Sequence, residues 1–154
     1  MPESQATLVI IKPDAIKKQL IGTVLTRLEA LGLEVIGAKA IRPGRTLVET
    51  HYAHLKAQPF FEETVQMLQG QLHGTSYVLA LVFWGEEAVA RVRQVAGATN
   101  PEQAAPETIR GSLGRITTTG LMENLLHASS DLQEAKREIR LWFTPEELLP
   151  VEGL

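Results

Sequence analysis

The chain has 154 residues, enough to bury a sizeable core, and we expect residues 1–154 to form a single domain. Hydrophobic residues make up 44% and charged residues 21%, a composition that excludes disordered and fibrous proteins. The net charge of −3 argues against a nucleic-acid partner, and the lack of cysteine excludes disulfides and thiolate metal sites.

The chain opens with a polar segment, a strand and a helix. Met1–Gln5 lacks the basic start and long apolar stretch of a signal peptide, so we expect a cytoplasmic protein. Thr7–Ile11 is a β-rich apolar run stopped by Pro13, which predicts a buried first strand. Apolar residues then recur at helical spacing over 21–31, and Gly32 stands where a helix C-cap is expected.

A second strand and a second helix follow. Leu33–Ile41 predicts a strand that Pro43-Gly44 ends. Thr46–Glu49 matches a capping box, which predicts a helix start and places Tyr52 one turn after Val48. Alternation predicts two faces for the strand: Val35, Gly37, Lys39 and Ile41 on one, and Ile36, Ala38 and Ala40 on the other.

The middle of the chain contains the strongest strand signal. Pro59-Phe60-Phe61 begins a predicted helix whose apolar stripe is Phe61, Val65 and Leu68. Gly70–Ser76 is polar and turn-rich, which indicates a loop. The continuous apolar run Tyr77–Trp84, ended by Gly85, predicts a central strand covered on both faces, and it is too short to span a membrane.

The last third predicts the remaining helices and one strand. Valines 89, 92 and 95 form a helical stripe closed by Gly97, with Arg93 beside it. Thr99–Gly120 is a long connection, and such loops are often functional. Three elements complete the chain: a helix over Asp131–Glu138, a strand over Ile139–Phe143 and a capped turn over Thr144–Glu147. This order favours an α+β sandwich of the split βαβ kind.

The residues themselves point to phosphate chemistry without a backbone phosphate cradle. Neither a Gly-x-x-x-x-Gly-Lys-Ser/Thr loop nor a Gly-x-Gly-x-x-Gly turn occurs, so side chains would have to bind phosphates. Lys12, Arg93 and Arg110 could do so after folding, although any one of them alone is more typical of a solvated charge. His127 could carry a phosphoryl group, because a neutral imidazole attacks phosphorus without first losing a proton. An isolated histidine is more often a surface or core residue.

Seven segments stand out in chain order: Ile11–Asp14, His51-Tyr52, Pro59–Phe61, Gly97–Pro101, Thr108–Gly111, Asn124–Ser129 and Glu138–Phe143. Together they resemble, in the same order, the signature blocks of the nucleoside diphosphate kinase family, and the resemblance extends over almost the whole chain, from about Thr7 to Leu148. One tripeptide of this kind would be weak, but seven in order are very unlikely to coincide by chance.

The resemblance implies a ferredoxin-like α/β sandwich with a four-stranded antiparallel sheet covered by helices. It further implies a homotetramer or homohexamer that transfers the γ-phosphoryl group between nucleoside triphosphates and diphosphates by a ping-pong route. Mg²⁺ would be carried by the nucleotide phosphates, with no protein metal site.

The resemblance also implies a role for each matching residue. His127 corresponds to the phosphorylated nucleophile and Tyr52 lies near it, while Ser129 and Glu138 shape its surroundings. The nucleotide-binding set divides into ribose, phosphate and base contacts: Lys12 and Asn124 for the ribose, with Lys12 also near the transferred group, then Arg93, Thr99 and Arg110 for the phosphates and Phe60 for the base. Stacking on an aromatic ring reads no hydrogen-bonding edge, which favours broad nucleotide specificity.

Several positions depart from the family pattern. The segments 111–124 and 69–77 are longer than the family's common short forms, so the second apolar contact on the base is unassigned by sequence. Ala128 replaces a frequent glycine, Ser130 stands where an aspartate is frequent, and His54 occupies a commonly acidic position. These changes bear on turnover rather than on the type of reaction.

Alternative interpretations remain at this point. Phe60 and Tyr52 could be core aromatics, Asn124 a cap residue and Thr99 a loop cap. The chain as a whole could be a catalytically weak nucleotide-binding or regulatory relative, or a ferredoxin-like interaction module with no nucleotide site.

Overall fold

A computed structural model describes residues 2–154, which form one main sheet, a small hairpin and seven α-helices within that range. The strands are β1 (Ser4–Ile11), β2 (Glu34–Ile41), β3 (Val78–Glu86), β4 (Arg115–Ile116), β5 (Met122–Glu123) and β6 (Leu126–Ala128). The helices are α1 (Pro13–Lys17), α2 (Ile21–Glu29), α3 (Arg45–His51), α4 (Phe61–Leu68), α5 (Ala88–Ala96), α6 (Ile109–Leu113) and α7 (Leu132–Trp142).

The main sheet is antiparallel, with the strand order β2-β3-β1-β6, and β4 pairs with β5 in a separate hairpin. This is the ferredoxin-like α+β sandwich that the sequence predicts. Because side chains alternate along β1, Leu8 and Ile10 face one core while Val9 and Ile11 face the other. Helices α3, α4 and α7 contribute to the first core, and α2, α5 and α6 contribute to the second.

The last helix corrects the predicted order of elements. Ile139–Phe143 was expected to be a strand, but α7 runs on to Trp142, with Ala135, Ile139 and Trp142 buried on one side. The main sheet takes its fourth strand from β6, which is only three residues long and precedes α7 in the chain. A five-residue apolar run fits a buried helical turn as well as a strand, and a three-residue strand is too short to show a period.

The faces predicted for β2 are wrong at its start because the strand contains a β-bulge. Val35 pairs with Phe83 and Gly37 pairs with Val82, so Ile36 is the extra residue. The bulge turns Ile36 into the first core together with Gly37, while Val35 is 45% exposed.

Two further boundaries differ from the predictions. The predicted capping box at Thr46 does not form, because α3 already begins at Arg45 after Gly44 and the Glu49 carboxylate accepts from Arg45 Nε at 2.5 Å. The connection Thr99–Gly120 is not structureless, since it contains α6 and β4. The other expected elements, including the central strand and the turn at Thr144, are confirmed within one to three residues. None of the helices within residues 2–154 is both long and apolar enough to cross a membrane.

The start of α7 can be tested through its N-cap. Asp131 is its N-cap, and its carboxylate accepts from the Glu134 N–H at 2.8 Å. We expect Asp131→Ala to lower the free energy of unfolding by about 1 kcal/mol, and Asp131→Asn to retain most of it. Urea unfolding at fixed protein concentration measures both. Equal stability of the wild type and the alanine variant would contradict this cap.

Candidate active site

His127 lies on β6, where it pairs with Ile10 of β1. Its Nε2 is 3.0 Å from Glu138 Oε1, and the Ser129 hydroxyl donates to the same oxygen at 2.6 Å. Ser129 Oγ in turn accepts from the Leu8 N–H at 3.1 Å. Strand β6, helix α7 and strand β1 thus fix the imidazole through one shared carboxylate oxygen.

The hydrogen bond to Glu138 determines which ring nitrogen of His127 carries the proton and which has a free lone pair. A carboxylate accepts, so Nε2 carries the proton and the lone pair is on Nδ1. Burial lowers the pKa of His127 from its ordinary value, against the opposing effect of Glu138, and this favours the neutral ring. Burial alone would raise the pKa of Glu138, but the hydrogen bonds from His127 and Ser129 and the nearby charge of Arg137 together outweigh burial, and the pKa lies below its usual range. The result is a neutral imidazole beside an ionised carboxylate.

His51 lies against this histidine, and the sequence assigned it no role. The two rings meet edge to face with their centroids 4.5 Å apart, and the Trp142 indole N–H donates to His51 Nδ1 at 3.0 Å. Burial lowers the pKa of His51 to about 2, so the ring is neutral. The sequence did not predict this contact, because it assigned residues 139–143 to a strand. Trp142 reaches His51 from the last turn of helix α7.

One ring nitrogen each from His51 and His127 and one carboxylate oxygen of Glu138 lie within 4.8 Å of one another, close enough to suggest a metal site. Their hydrogen bonds argue against one. Trp142 already donates to His51 Nδ1, which places the proton of a neutral ring on Nε2, and one Glu138 oxygen already accepts from both His127 and Ser129. The cluster is therefore better suited to orienting His127 than to binding a cation.

A strained peptide just before β6 is held from three directions. Leu125 has a φ of 72°, a left-handed conformation unusual for a residue with a side chain. Its N–H donates to Asp14 Oδ2 at 2.9 Å, and its carbonyl accepts from the Lys12 N–H at 2.8 Å. Arg110 donates to the carbonyls on either side, those of Asn124 and Leu126, at 3.2 and 2.7 Å. Sequence reasoning gave Asp14 no role, although it belongs to the Ile11–Asp14 block.

Lys12 and Asn124 meet at the entrance of the site. Lys12 Nζ donates to Asn124 Oδ1 at 2.8 Å, and Asn124 Nδ2 donates to the Thr99 carbonyl at 3.0 Å. Burial, with a smaller contribution from Arg110, lowers the pKa of Lys12 to about 8, so it is still a cation at pH 7. The structure thus brings together three residues that are far apart in sequence.

Arg110 and Arg93 approach the site from two helices. The buried Arg110 guanidinium donates to three carbonyls, the third being that of Gly97 at 2.9 Å, which leaves one N–H on each terminal nitrogen. Burial and then the charge of Arg93 lower the pKa of Arg110 to about 10. Arg93 itself is exposed on α5. Arg110 therefore supports the backbone as well as offering donors, which sequence alone did not indicate.

A cavity of about 460 Å³ extends from Lys12 and Asn124 to an apolar end. Phe60 lines it and is 48% exposed, whereas Tyr52 lines it but is buried against His51. Leu121 and Met122 of the β4–β5 hairpin line it as well. The hairpin thus adds an apolar wall to this cavity.

Three residues differ from the family pattern, and the structure places each of them. His54 is exposed on the short turn after α3, and Ala128 is buried in β6. The Ser130 hydroxyl donates to Asp131 Oδ2 at 3.3 Å, next to the N-cap of α7.

Comparison with known proteins shows the family to which almost the whole chain is similar. The family model described as "Nucleoside diphosphate kinase" matches residues 5–148. A nucleoside diphosphate kinase of Pyrococcus horikoshii is 43% identical over 148 residues, covering 96% of this chain and 90% of that protein. One of Desulfitobacterium hafniense is 40% identical, covering 94% of this chain and 91% of the relative.

Solved structures with this name are also similar. That of Halobacterium salinarum in complex with CDP has a TM-score of 0.86 and 38% identity, covering 97% of this chain and 94% of that one. That of Borrelia burgdorferi, a transition state mimic with bound vanadate and ADP, has a TM-score of 0.85 and 31% identity, with 97% and 92% covered.

The depressed pKa of His51 predicts how stability depends on pH. Below about pH 6.5 the unfolded chain protonates this residue while the folded chain does not, so stability present above that pH is lost as the pH falls. We expect a slope approaching about 1.4 kcal/mol per pH unit from this group between pH 6 and 4, measured by urea unfolding. His51→Gln should flatten the slope, since glutamine does not titrate and its amide oxygen can accept from Trp142. An unchanged slope in this variant would refute the assignment.

Proposed function

Since the chain belongs to the nucleoside diphosphate kinase family, and so transfers the γ-phosphoryl group from nucleoside triphosphates to nucleoside diphosphates through a phosphohistidine, we propose that His127 carries the phosphoryl group. The observation that supports this most is the hydrogen bond from His127 Nε2 to Glu138, because it leaves the Nδ1 lone pair for attack.

In the first half-reaction, Nδ1 of His127 forms a bond to the γ-phosphorus. The bond between that phosphorus and the oxygen bridging to the β-phosphate breaks, and the nucleoside diphosphate leaves with the electron pair. The phosphorylated ring keeps its Nε2 proton, and the Glu138 carboxylate at 3.0 Å stabilises the positive charge that develops on it. A second diphosphate then reverses these steps. Ser129 assists by holding the carboxylate in place.

The remaining assignments follow from charge and position. Lys12, Arg93 and Arg110 are cations around the site, suited to the negative charge on the transferred and leaving oxygens. We assign the ribose hydroxyls to Lys12 and Asn124, which already hydrogen-bond to each other, and a phosphate contact to Thr99 beside them. We assign the base to Phe60 at the apolar end of the cavity, with Tyr52 packed on His51 between base and nucleophile.

The family requires a divalent cation, and we propose that it is Mg²⁺ bound by the nucleotide phosphates. The site fits this arrangement, because its phosphate-binding candidates are cations and Glu138 is buried and already engaged. When bound, Mg²⁺ would neutralise negative charge on the phosphate oxygens and so favour departure of the nucleoside diphosphate.

We propose further that residues 1–154 act as a single domain in a homotetramer or homohexamer in the cytoplasm. The two cores share one sheet, which supports a single domain. Strand β2 lies at the outer edge of that sheet with Val35 exposed, which supports a subunit contact, and the lack of cysteine suits a reducing compartment.

The nucleophile can be tested by labelling. Incubation with γ-labelled ATP and Mg²⁺ should label the protein through an acid-labile, alkali-stable bond, and His127→Ala should abolish this label because Nδ1 is removed. His54→Ala serves as the control, since His54 is exposed and outside the hydrogen-bond network of His127. Label retained by the His127 variant would contradict the assignment of His127 as the phosphorylated residue.

The role of the cation can be tested by chelation. Excess EDTA should stop phosphoenzyme formation from ATP, and Mg²⁺ should restore it. Calorimetric titration of Mg²⁺ into the protein alone should show no specific binding, whereas Mg²⁺ with ADP should bind, because the nucleotide supplies the ligands. Specific Mg²⁺ binding without nucleotide would contradict a cation held by the phosphates.

A further inference from the structure

The β4–β5 hairpin is a small element that needs support from outside. Its ladder contains only the pairs Arg115 with Glu123 and Ile116 with Met122. Thr117 closes its turn, donating its N–H to the Leu121 carbonyl at 2.9 Å. A two-stranded ribbon of this size is not stable alone in water. Yet Leu121 and Met122 form a wall of the nucleotide cavity, so something must fix the hairpin there.

That support is centred on Glu123, whose side chain is only 4% exposed. Lys18, just after α1, reaches Oε1 at 2.9 Å, and Arg115 Nε reaches the same oxygen at 2.5 Å. His73, from the loop between α4 and β3, reaches Oε2 at 2.6 Å. Burial would raise the pKa of Glu123, but these three partners lower it to about 2, so the carboxylate is ionised.

Two of the three partners, His73 and Lys18, connect the hairpin to other walls of the cavity, whereas Arg115 lies within the hairpin on β4. His73 follows α4, which contributes Thr64 and Met67 to the lining. Lys18 follows α1, which begins next to the cavity residue Lys12. Glu123 therefore holds the hairpin wall at a fixed distance from the α4 wall, where the base would lie beside Phe60.

The same contacts do not reach the nucleophile directly. Between Glu123 and His127 lies Leu125, whose peptide is held by Asp14 and by the backbone of Lys12. Arg110 holds the carbonyls on both sides of it. These bonds at Leu125 separate the hairpin from β6. A shift of Leu121 and Met122 would therefore change the cavity wall without moving Nδ1 of His127.

We propose that Glu123 is a positioning residue for the nucleoside. By binding Lys18, His73 and Arg115 together, it fixes the Leu121 and Met122 wall of the base cavity, and so sets the affinity for nucleosides without taking part in phosphoryl transfer. This inference rests on the proposed function, since it assigns that cavity to the base.

The test is Glu123→Gln, which keeps the shape of the side chain but not its charge. We expect the Kd for ADP, measured by calorimetry, and the KM for nucleoside diphosphates to rise about tenfold, the effect of losing one charge-assisted hydrogen bond. The kcat and the inhibition constant of pyrophosphate, a diphosphate without a base, should stay within about twofold. Glu147→Gln is the matched control, because Glu147 pairs with Lys39 and does not line the cavity.

A second variant separates positioning from general loss of structure. Leu121→Ala should weaken ADP binding in the same way, and the double variant should be less than additive if Glu123 acts through this wall. If Glu123→Gln does not fold, Arg115→Gln removes one partner that is 60% exposed and should give a smaller rise in Kd.

Three results would overturn the proposal: an unchanged Kd for ADP, an equal weakening of pyrophosphate binding, or a fall in kcat alone. The ADP titration is independent of catalysis. Failure of the wild type to become phosphorylated on His127 would therefore count against the proposed function and not against the role of Glu123.

Discussion

The left-handed peptide of Leu125 is the constraint on which the arrangement of the site depends. Such a conformation costs on the order of 1–3 kcal/mol and persists only when its surroundings enforce it. Here Asp14 and Lys12 hold the two polar groups of Leu125, and Arg110 holds the neighbouring carbonyls. The turn directs Asn124 toward Lys12 and lets the chain enter β6, which places His127 opposite Ile10. The positions of Asn124, proposed to bind the ribose, and of His127, the proposed nucleophile, are thus both set by one backbone feature.

The opposite side of His127 is fixed just as firmly, though by a side chain. One oxygen of Glu138 accepts from both His127 and Ser129, so strand β6 and helix α7 are joined at the reactive ring. His51 packs against that ring and is itself oriented by Trp142. The His127 ring is therefore held by several contacts, while the other end of the cavity is formed by a small hairpin and the half-exposed Phe60. Under the proposed function, the phosphoryl group would be bonded to the firmly held ring, and the base would lie at the end beside Phe60.

The fold was largely predictable because its central strands have long apolar runs with clear boundaries. Tyr77–Trp84 and Thr7–Ile11 identify β3 and β1 from hydrophobicity alone. The wrong predictions concern elements whose structure depends on tertiary contacts. Strand β6 consists of three residues whose only recognisable feature is pairing with β1, and the bulge at Ile36 depends on the register with β3. For the site, motif order located His127, Lys12 and Asn124. The partners of Glu123 could not be found in this way, because charge pairs between the β4–β5 hairpin and two separate connections leave no periodic signal.

The pairing of β1 with β6 has a consequence for how the chain is made. Ser129 and Leu8 are 121 residues apart, and Asp14 and Leu125 are 111 apart, so the decisive contacts close very long loops. Contacts of this range form late and slow folding. On the ribosome, β1 emerges first and must wait beside β3 with one edge open until β6 and α7 are synthesised. His127, the Glu138 carboxylate beside it and the last strand of the sheet are therefore all supplied by residues 126–138, long after β1 and β3.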